Sequence, residues 1–184
     1  MVYPVVVYGD PVLRKVAANV PVGEDINKII EDMYETMYAA DGMGLAAPQI
    51  GKSIRLFIVD ATMVEDEPDL KEFKKVFINA QITEKTGEET LLEEGCLSIP
   101  NLRERIPRPD RIHLTWFDEK WQKHEADFTG MQSRIIQHEY DHIEGKLFLD
   151  HLSPLRRKLL KGKLNDISRG EVDTTYRILA PLRK

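Results

Sequence analysis

Two histidines four residues apart, with a glutamate directly after the first, stand in the run Gln137-His138-Glu139-Tyr140-Asp141-His142. In a helix, positions i and i+4 project from one face, so both imidazoles can reach one cation. Glu139 then sits beside that cation, placed to carry a proton. Two ligands do not hold a catalytic metal, so a third donor is needed. The strongest candidate is the chain's single cysteine, Cys96, in Glu94-Gly95-Cys96-Leu97-Ser98-Ile99-Pro100 at the end of an expected strand. A thiolate with two imidazoles leaves the fourth tetrahedral position open, which is the arrangement of a catalytic rather than a structural site. The bland alternatives are two ordinary histidines on a solvated helix and a cysteine acting as a small buried hydrophobe. The run also approaches the long zinc-protease pattern. Gly145 is in place there, but Phe148 stands where a third histidine belongs, and His151 lies three residues too late.

The elements around these residues read as one α+β domain spanning 1–184. Antiparallel sheets are expected to pack around the central helix that carries the HExxH pattern, with an N-terminal and a C-terminal helix. Met131, Ile135, His138 and His142 fall on one face of the central helix, with Arg134, Glu139 and Tyr140 off that stripe. Thr129 is its expected N-cap and Gly145 its C′ residue. An earlier helix runs from about Asp25 to Ala40, with an apolar stripe of Ile26, Ile29, Ile30, Met33 and Met37. Leu45 to Gly51 reads as a loop and Ala61 to Lys75 as an acidic, exposed excursion. Strands are expected over Ile54–Val59, Val76–Thr83 and Glu88–Glu93, with a hairpin from Arg111–Phe117 and Trp121–Phe128. Ser153 and Pro154 open a last helix as N-cap and N1.

Bulk properties exclude several classes. Lys+Arg is 26 against Asp+Glu 31, a net charge of −5, which argues against DNA as a partner. The start of the sequence shows no secretory signal and no apolar run approaches a membrane span. One cysteine forms no internal disulfide, so a reducing, cytoplasmic setting is the expectation.

Three segments, Gly42-Met43-Gly44-Leu45-Ala46-Ala47-Pro48-Gln49, Glu94-Gly95-Cys96-Leu97-Ser98 and Gln137 to His142, together resemble the motifs of the peptide deformylases, in that family's order. The resemblance implies a hydrolase that removes the formyl group from the N-terminal methionine of newly made proteins, releasing formate. It implies Cys96, His138 and His142 as metal ligands and Glu139 as general acid and base. The Gln49 amide and the Leu97 backbone N–H become oxyanion donors. Met43 and Ile135 would receive the methionine side chain, although both also read as core residues. Gly44 and Leu45 would lie along the substrate backbone, and Glu94 and Arg103 would form a supporting ion pair. The metal is expected to be Fe²⁺ by resemblance, with Zn²⁺, Ni²⁺ or Co²⁺ as substitutes for the same donor set. Formylmethionyl nascent peptides are the expected partners. The basic helix holding Arg156, Arg157, Lys158, Lys161, Lys163 and Arg169 is a candidate ribosome contact. Departures from the family pattern are small. Ile143 stands where leucine is commoner, and the 61–75 segment is longer and more acidic. Two rival enzymes share the same residues. One is a metalloprotease cutting internal bonds, with a downstream ligand and no role for Cys96. The other is a metal-free cysteine hydrolase, with Cys96 as nucleophile and His138 as base. A non-enzymatic metal-stapled binding module would leave Glu139 and Gln49 without a task.

Overall fold

A computed structural model describes residues 1–64 and 67–182. Its frame is a five-stranded antiparallel sheet in the order β2 (Gly44–Ala46), β3 (Leu56–Asp60), β4 (Lys74–Cys96), β5 (Ile99–Phe117) and β6 (Lys123–Phe128). Two helices pack on opposite faces of it. β3 shows why, since its side chains alternate between two apolar clusters. Leu56 and Ile58 face Ile30, Met33 and Met37 of α1 (Asn27–Ala39), whereas Phe57 and Val59 face Ile135, Ile136 and Ile143 of α2 (Gly130–Ile143). Both faces of β3 are therefore covered, and it reads as an unbroken apolar run.

A third cluster joins β1 (Val5–Val6) to the inner side of α3 (Pro154–Arg169) through Val6, Leu160, Leu164 and Ile167. β1 also pairs with β7 (Ile178–Leu179). This small two-stranded sheet is parallel, whereas the main sheet is antiparallel as expected. Parallel pairing needs a long connection, and here nearly the whole chain lies between the two strands.

Several local expectations are corrected. Leu45 and Ala46 belong to strand β2, not to a loop, and a 3₁₀ turn covers Ala47–Ile50. The two short strands expected at 76–83 and 88–93 are one strand, β4, with register shifts at Ile78/Gln81, Ile82/Glu84 and Thr86/Glu89. The polar run between them stays hydrogen-bonded to β5 although both its faces meet water, so no alternation marks it. The 61–75 segment packs back onto the sheet, burying Ala61, Leu70 and Phe73 against the α2 side. Residues 65 and 66 of that segment lie outside the described residues.

The site helix begins and ends by clear devices. Thr129 takes the extended N-cap conformation, but its side chain caps nothing; Asp110 of β5 accepts from Gly130 N–H at 3.2 Å instead. At the other end, Lys146 N–H donates to Asp141 O at 2.8 Å and Gly145 N–H to His142 O at 3.2 Å, around a left-handed Gly145 (φ +68). A β-carbon at Gly145 would fall 2.7 Å from Arg14 O, so the chain there has no room for a side chain. On α3, Ser153 Oγ accepts from Arg156 N–H at 3.2 Å with Pro154 in the first turn.

Candidate metal centre

α2 brings His138 to the wall of a cleft of about 980 Å³ with His142 buried just behind it, and β4 ends at Cys96 beside them. Cys96 Sγ lies 3.3 Å from His142 Nε2, and one ligand atom from each of Cys96, His138 and His142 falls within 4.8 Å of the others. Two ligands at tetrahedral angles on one cation, with bonds near 2.3 Å to sulfur and 2.1 Å to nitrogen, stand about 3.6 Å apart. The Cys96–His142 separation fits a shared divalent ion to within a few tenths of an ångström, and His138 lies close enough to complete the set with a small shift.

The electrostatics favour the thiolate form of Cys96. Burial alone would push the Cys96 thiol up, yet His142 and His138 bring it down to about 5, so the sulfur is a thiolate at neutral pH. Glu139 is 5 % exposed, and its burial holds it up at about 7 against the pull of His138 and His142. Its Oε2 has no hydrogen-bond partner among the described residues. A carboxylate poised near neutrality with an unpaired oxygen suits proton transfer. His142 Nδ1 is likewise buried and unpartnered among the described residues.

Gln49, 2 % exposed, is fixed at both ends of its amide. Oε1 accepts from Ala46 N–H at 2.8 Å, and Nε2 donates to Ser98 Oγ at 3.2 Å and approaches Cys96 Sγ at 3.6 Å. The Leu97 N–H finds no acceptor among the described residues. Ile135 and Met43 both line the cleft, Ile135 buried and Met43 half-exposed. Gly44 also lines it and leaves no room beside Glu139, because a β-carbon there would meet Glu139 Cδ at 2.8 Å. Leu45 differs. Its side chain is fully buried among the α1 residues and does not line the cleft.

Glu94 does not pair with Arg103. It accepts from Arg108 Nε at 2.7 Å, Arg108 Nη2 at 3.0 Å and Arg134 Nη1 at 2.9 Å, and its Oε2 meets His138 Nδ1 at 2.9 Å. Arg103 instead bonds Glu93 at 2.9 Å on the exposed face. The reason is a register change. Cys96 lies opposite Ile99, yet Gly95 lies opposite Arg103, so one step along β4 matches four along β5. The three extra residues, an odd number, swap the two faces of β5. Glu94 therefore shares its face with Glu104, Ile106 and Arg108, and Arg103 falls on the other face with Glu93.

Motif reading did not find this support. Arg108 is 1 % exposed and also bonds Asp141 at 2.8 Å, which in turn meets His151 Nε2 at 2.8 Å. Two buried carboxylates thus face two buried guanidiniums, and each charge is compensated. Burial would raise Glu94, but its bonds to His138 and Arg108 hold it well below the usual carboxylate range. The carboxylate of Glu94 in turn fixes the His138 ring with its other nitrogen toward the site. Asp141 was in view, inside the motif, yet nothing local marked it as a partner. Arg134 lies off the apolar stripe but is buried by the charges it neutralises.

The family model for polypeptide deformylase matches residues 2–158. A peptide deformylase of Cytophaga hutchinsonii is 49% identical over 185 residues, covering all of both chains. One from Christiangramia forsetii is 45% identical, over 100% of this chain and 98% of its own. Among solved structures, the peptide deformylase of Thermus thermophilus superposes with a TM-score of 0.82 at 38% identity, covering 93% of this chain and all of that one.

Proposed function

Because the chain belongs to the polypeptide deformylase family, we propose that it hydrolyses the N-formyl group of the N-terminal methionine on newly made proteins, releasing formate and a free amine. The observation that carries this reading is the convergence of Cys96, His138 and His142 beside the unpaired Glu139 oxygen. The rival readings draw on fewer of these residues. A protease leaves Cys96 idle, and a metal-free cysteine hydrolase leaves the three-ligand geometry and the Glu139 position unused.

Cys96 Sγ and the two imidazoles would hold the cation, with Glu94 orienting His138. When bound, the cation supplies Lewis acidity that lowers the pKa of water toward neutrality. Glu139 takes a proton from the attacking water as its oxygen bonds to the formyl carbon, and passes it to the amine nitrogen as the C–N bond breaks. Gln49 Nε2 and the Leu97 N–H donate to the oxygen as charge develops on it, and losing one such donor typically costs ~10²–10³ in kcat. Ile135 and Met43 receive the methionine side chain. The substrate backbone runs along β2, an edge strand whose strand neighbour among the described residues is β3, so Gly44 and Leu45 act through their main chain. Such pairing reads one side chain and many backbones, as an enzyme serving many proteins requires.

The sulfur and nitrogen donor set suits Zn²⁺, Fe²⁺, Co²⁺ and Ni²⁺. We assign Fe²⁺ as the working ion on family grounds. The thiolate of Cys96 gives oxidation a route into the site. We place the enzyme in the cytoplasm as one catalytic unit over 1–184. No helix among the described residues is long and apolar enough to cross a membrane. Arg157, Lys158, Lys161 and Lys163 are exposed on α3, while Arg156 is paired with Glu104 at 2.7 Å. This basic face would dock on the ribosome; unchanged co-sedimentation at low salt after neutralising those four positions would remove that part of the reading. The central test is formate release by wild type, Glu139→Gln and Cys96→Ser. Glu139→Gln should keep its metal and lose activity by at least ~10². Cys96→Ser should lose both. An active Glu139→Gln enzyme would contradict the assignment.

A further inference from the structure

The family model ends at residue 158, yet residues 173–176, well beyond it, form one wall of the cleft. This segment is anchored at both ends. Before it, α3 stops at a left-handed Gly170, Glu171 N–H donates to Asp166 O at 2.9 Å, and Val172 packs into the apolar cluster of β1 and α3. After it, Val5 N–H donates to Arg177 O at 2.8 Å and β7 pairs with β1.

Between the anchors, the strap is bonded to the β4–β5 connection. Asn101 Nδ2 donates to Asp173 O at 2.8 Å, and Tyr176 Oη donates to Leu97 O at 2.8 Å. Thr174 Oγ1 donates to Tyr176 O at 2.7 Å and stiffens the strap itself. Leu97 and Ser98 are the two turn residues between β4 and β5. Ser98 is already fastened, its carbonyl by Tyr8 N–H at 2.8 Å and its hydroxyl by Gln49 Nε2 at 3.2 Å. The bond from Tyr176 fastens the other residue through its carbonyl. The N–H groups of Leu97 and Ser98 are then left without partners among the described residues, and the Leu97 N–H is the one next to Cys96. Burial, with the Cys96 charge adding to it, holds the Tyr176 hydroxyl above its ordinary pKa, so it remains a donor at neutral pH.

We propose that Tyr176 is a positioning residue for the reaction: its hydrogen bond to the Leu97 carbonyl holds the Leu97–Ser98 peptide, and so restrains the backbone about the Leu97 Cα and keeps the Leu97 N–H turned toward the developing oxyanion. The inference rests on the deformylase reading and on the donor role of Leu97 within it. A purely structural tail would also fold over this turn, but removing one hydroxyl from such a tail would leave kcat alone.

Tyr176→Phe keeps the ring and removes only the hydroxyl. With a formyl-methionyl-alanyl peptide, kcat should fall about 5- to 20-fold, a part of the ~10²–10³ lost with a whole oxyanion donor, while KM stays within about twofold. In zinc-loaded, ¹⁵N-labelled protein the Leu97 amide resonance should move and exchange faster with solvent. The wild-type kcat in Tyr176→Phe, or a lower kcat with the Leu97 amide unmoved, would overturn the proposal while leaving the deformylase reading intact. A wild type that releases no formate under the same conditions would overturn both.

Discussion

Arg108→Met severs the buried charge network at its centre. Arg108 makes two bonds to Glu94 and one to Asp141, and its side chain is 1 % exposed. Removing one partner of a buried ion pair typically costs about 3–5 kcal/mol, because the charge left behind stays out of water. Here Glu94 keeps Arg134 and His138, and Asp141 keeps His151, so the expected cost is at the lower end, about 3 kcal/mol. At about 2–4 °C per kcal/mol for a chain of this size, Tm should fall by about 6–12 °C. The assay is thermal unfolding of metal-free protein in excess chelator, so that bound ion adds nothing to either Tm. Loosening Glu94 also frees the His138 ring, so affinity for Zn²⁺ in a chelator competition should fall about 10–100-fold. Arg108→Lys should recover little, since an ammonium cannot span Glu94 in a two-bond fork and also reach Asp141. A shift below about 2 °C together with unchanged Zn²⁺ affinity would refute the idea that this network holds the site.

Other perturbations separate chemistry from stability. In Gly44→Ala the new methyl group meets the Glu139 side chain, which can swing aside, so Tm should change little while kcat drops by about 10²-fold or more. A normal kcat would show that Glu139 tolerates displacement. Burial alone would raise Asp141, but its bonds to His151 and Arg108 bring it to about 2. Its folded pKa thus lies below its unfolded one, so the stability it contributes is present above about pH 4 and is lost as pH falls toward 2, about 2 kcal/mol in all. Glu94, also lowered, acts in the same direction. The urea midpoint of Asp141→Asn should therefore fall less steeply than wild type between pH 4 and 2, and parallel curves would contradict this.

What could be read from the sequence followed from local rules. The site helix announced itself by the spacing of His138 and His142 and by its Gly145 stop. Cys96 stood out as the only thiol, and Gln49 by its motif. The hidden parts depend on long-range geometry. Nothing near Arg108 or Arg134 marks them, among 26 Lys and Arg, as the two that neutralise Glu94 from 14 and 40 residues away. The Glu94–Arg103 pair rested on the resemblance alone, and the irregular register beside Cys96 puts the two side chains on opposite faces of the sheet. The length of β4 was obscured because alternation appears only where one face is buried. Tyr176 lies 79 residues from its partner Leu97 in a polar segment with no motif.

On the proposed mechanism, a cation held by Cys96, His138 and His142 drives deformylation. The most direct test is formate release from a formyl-methionyl peptide by protein loaded anaerobically with Fe²⁺, stripped with chelator, then reloaded. Activity should vanish on stripping and return with about one Fe²⁺ per chain, the stoichiometry of a single three-ligand site. Formate release that survives complete removal of the metal would show that no cation is needed.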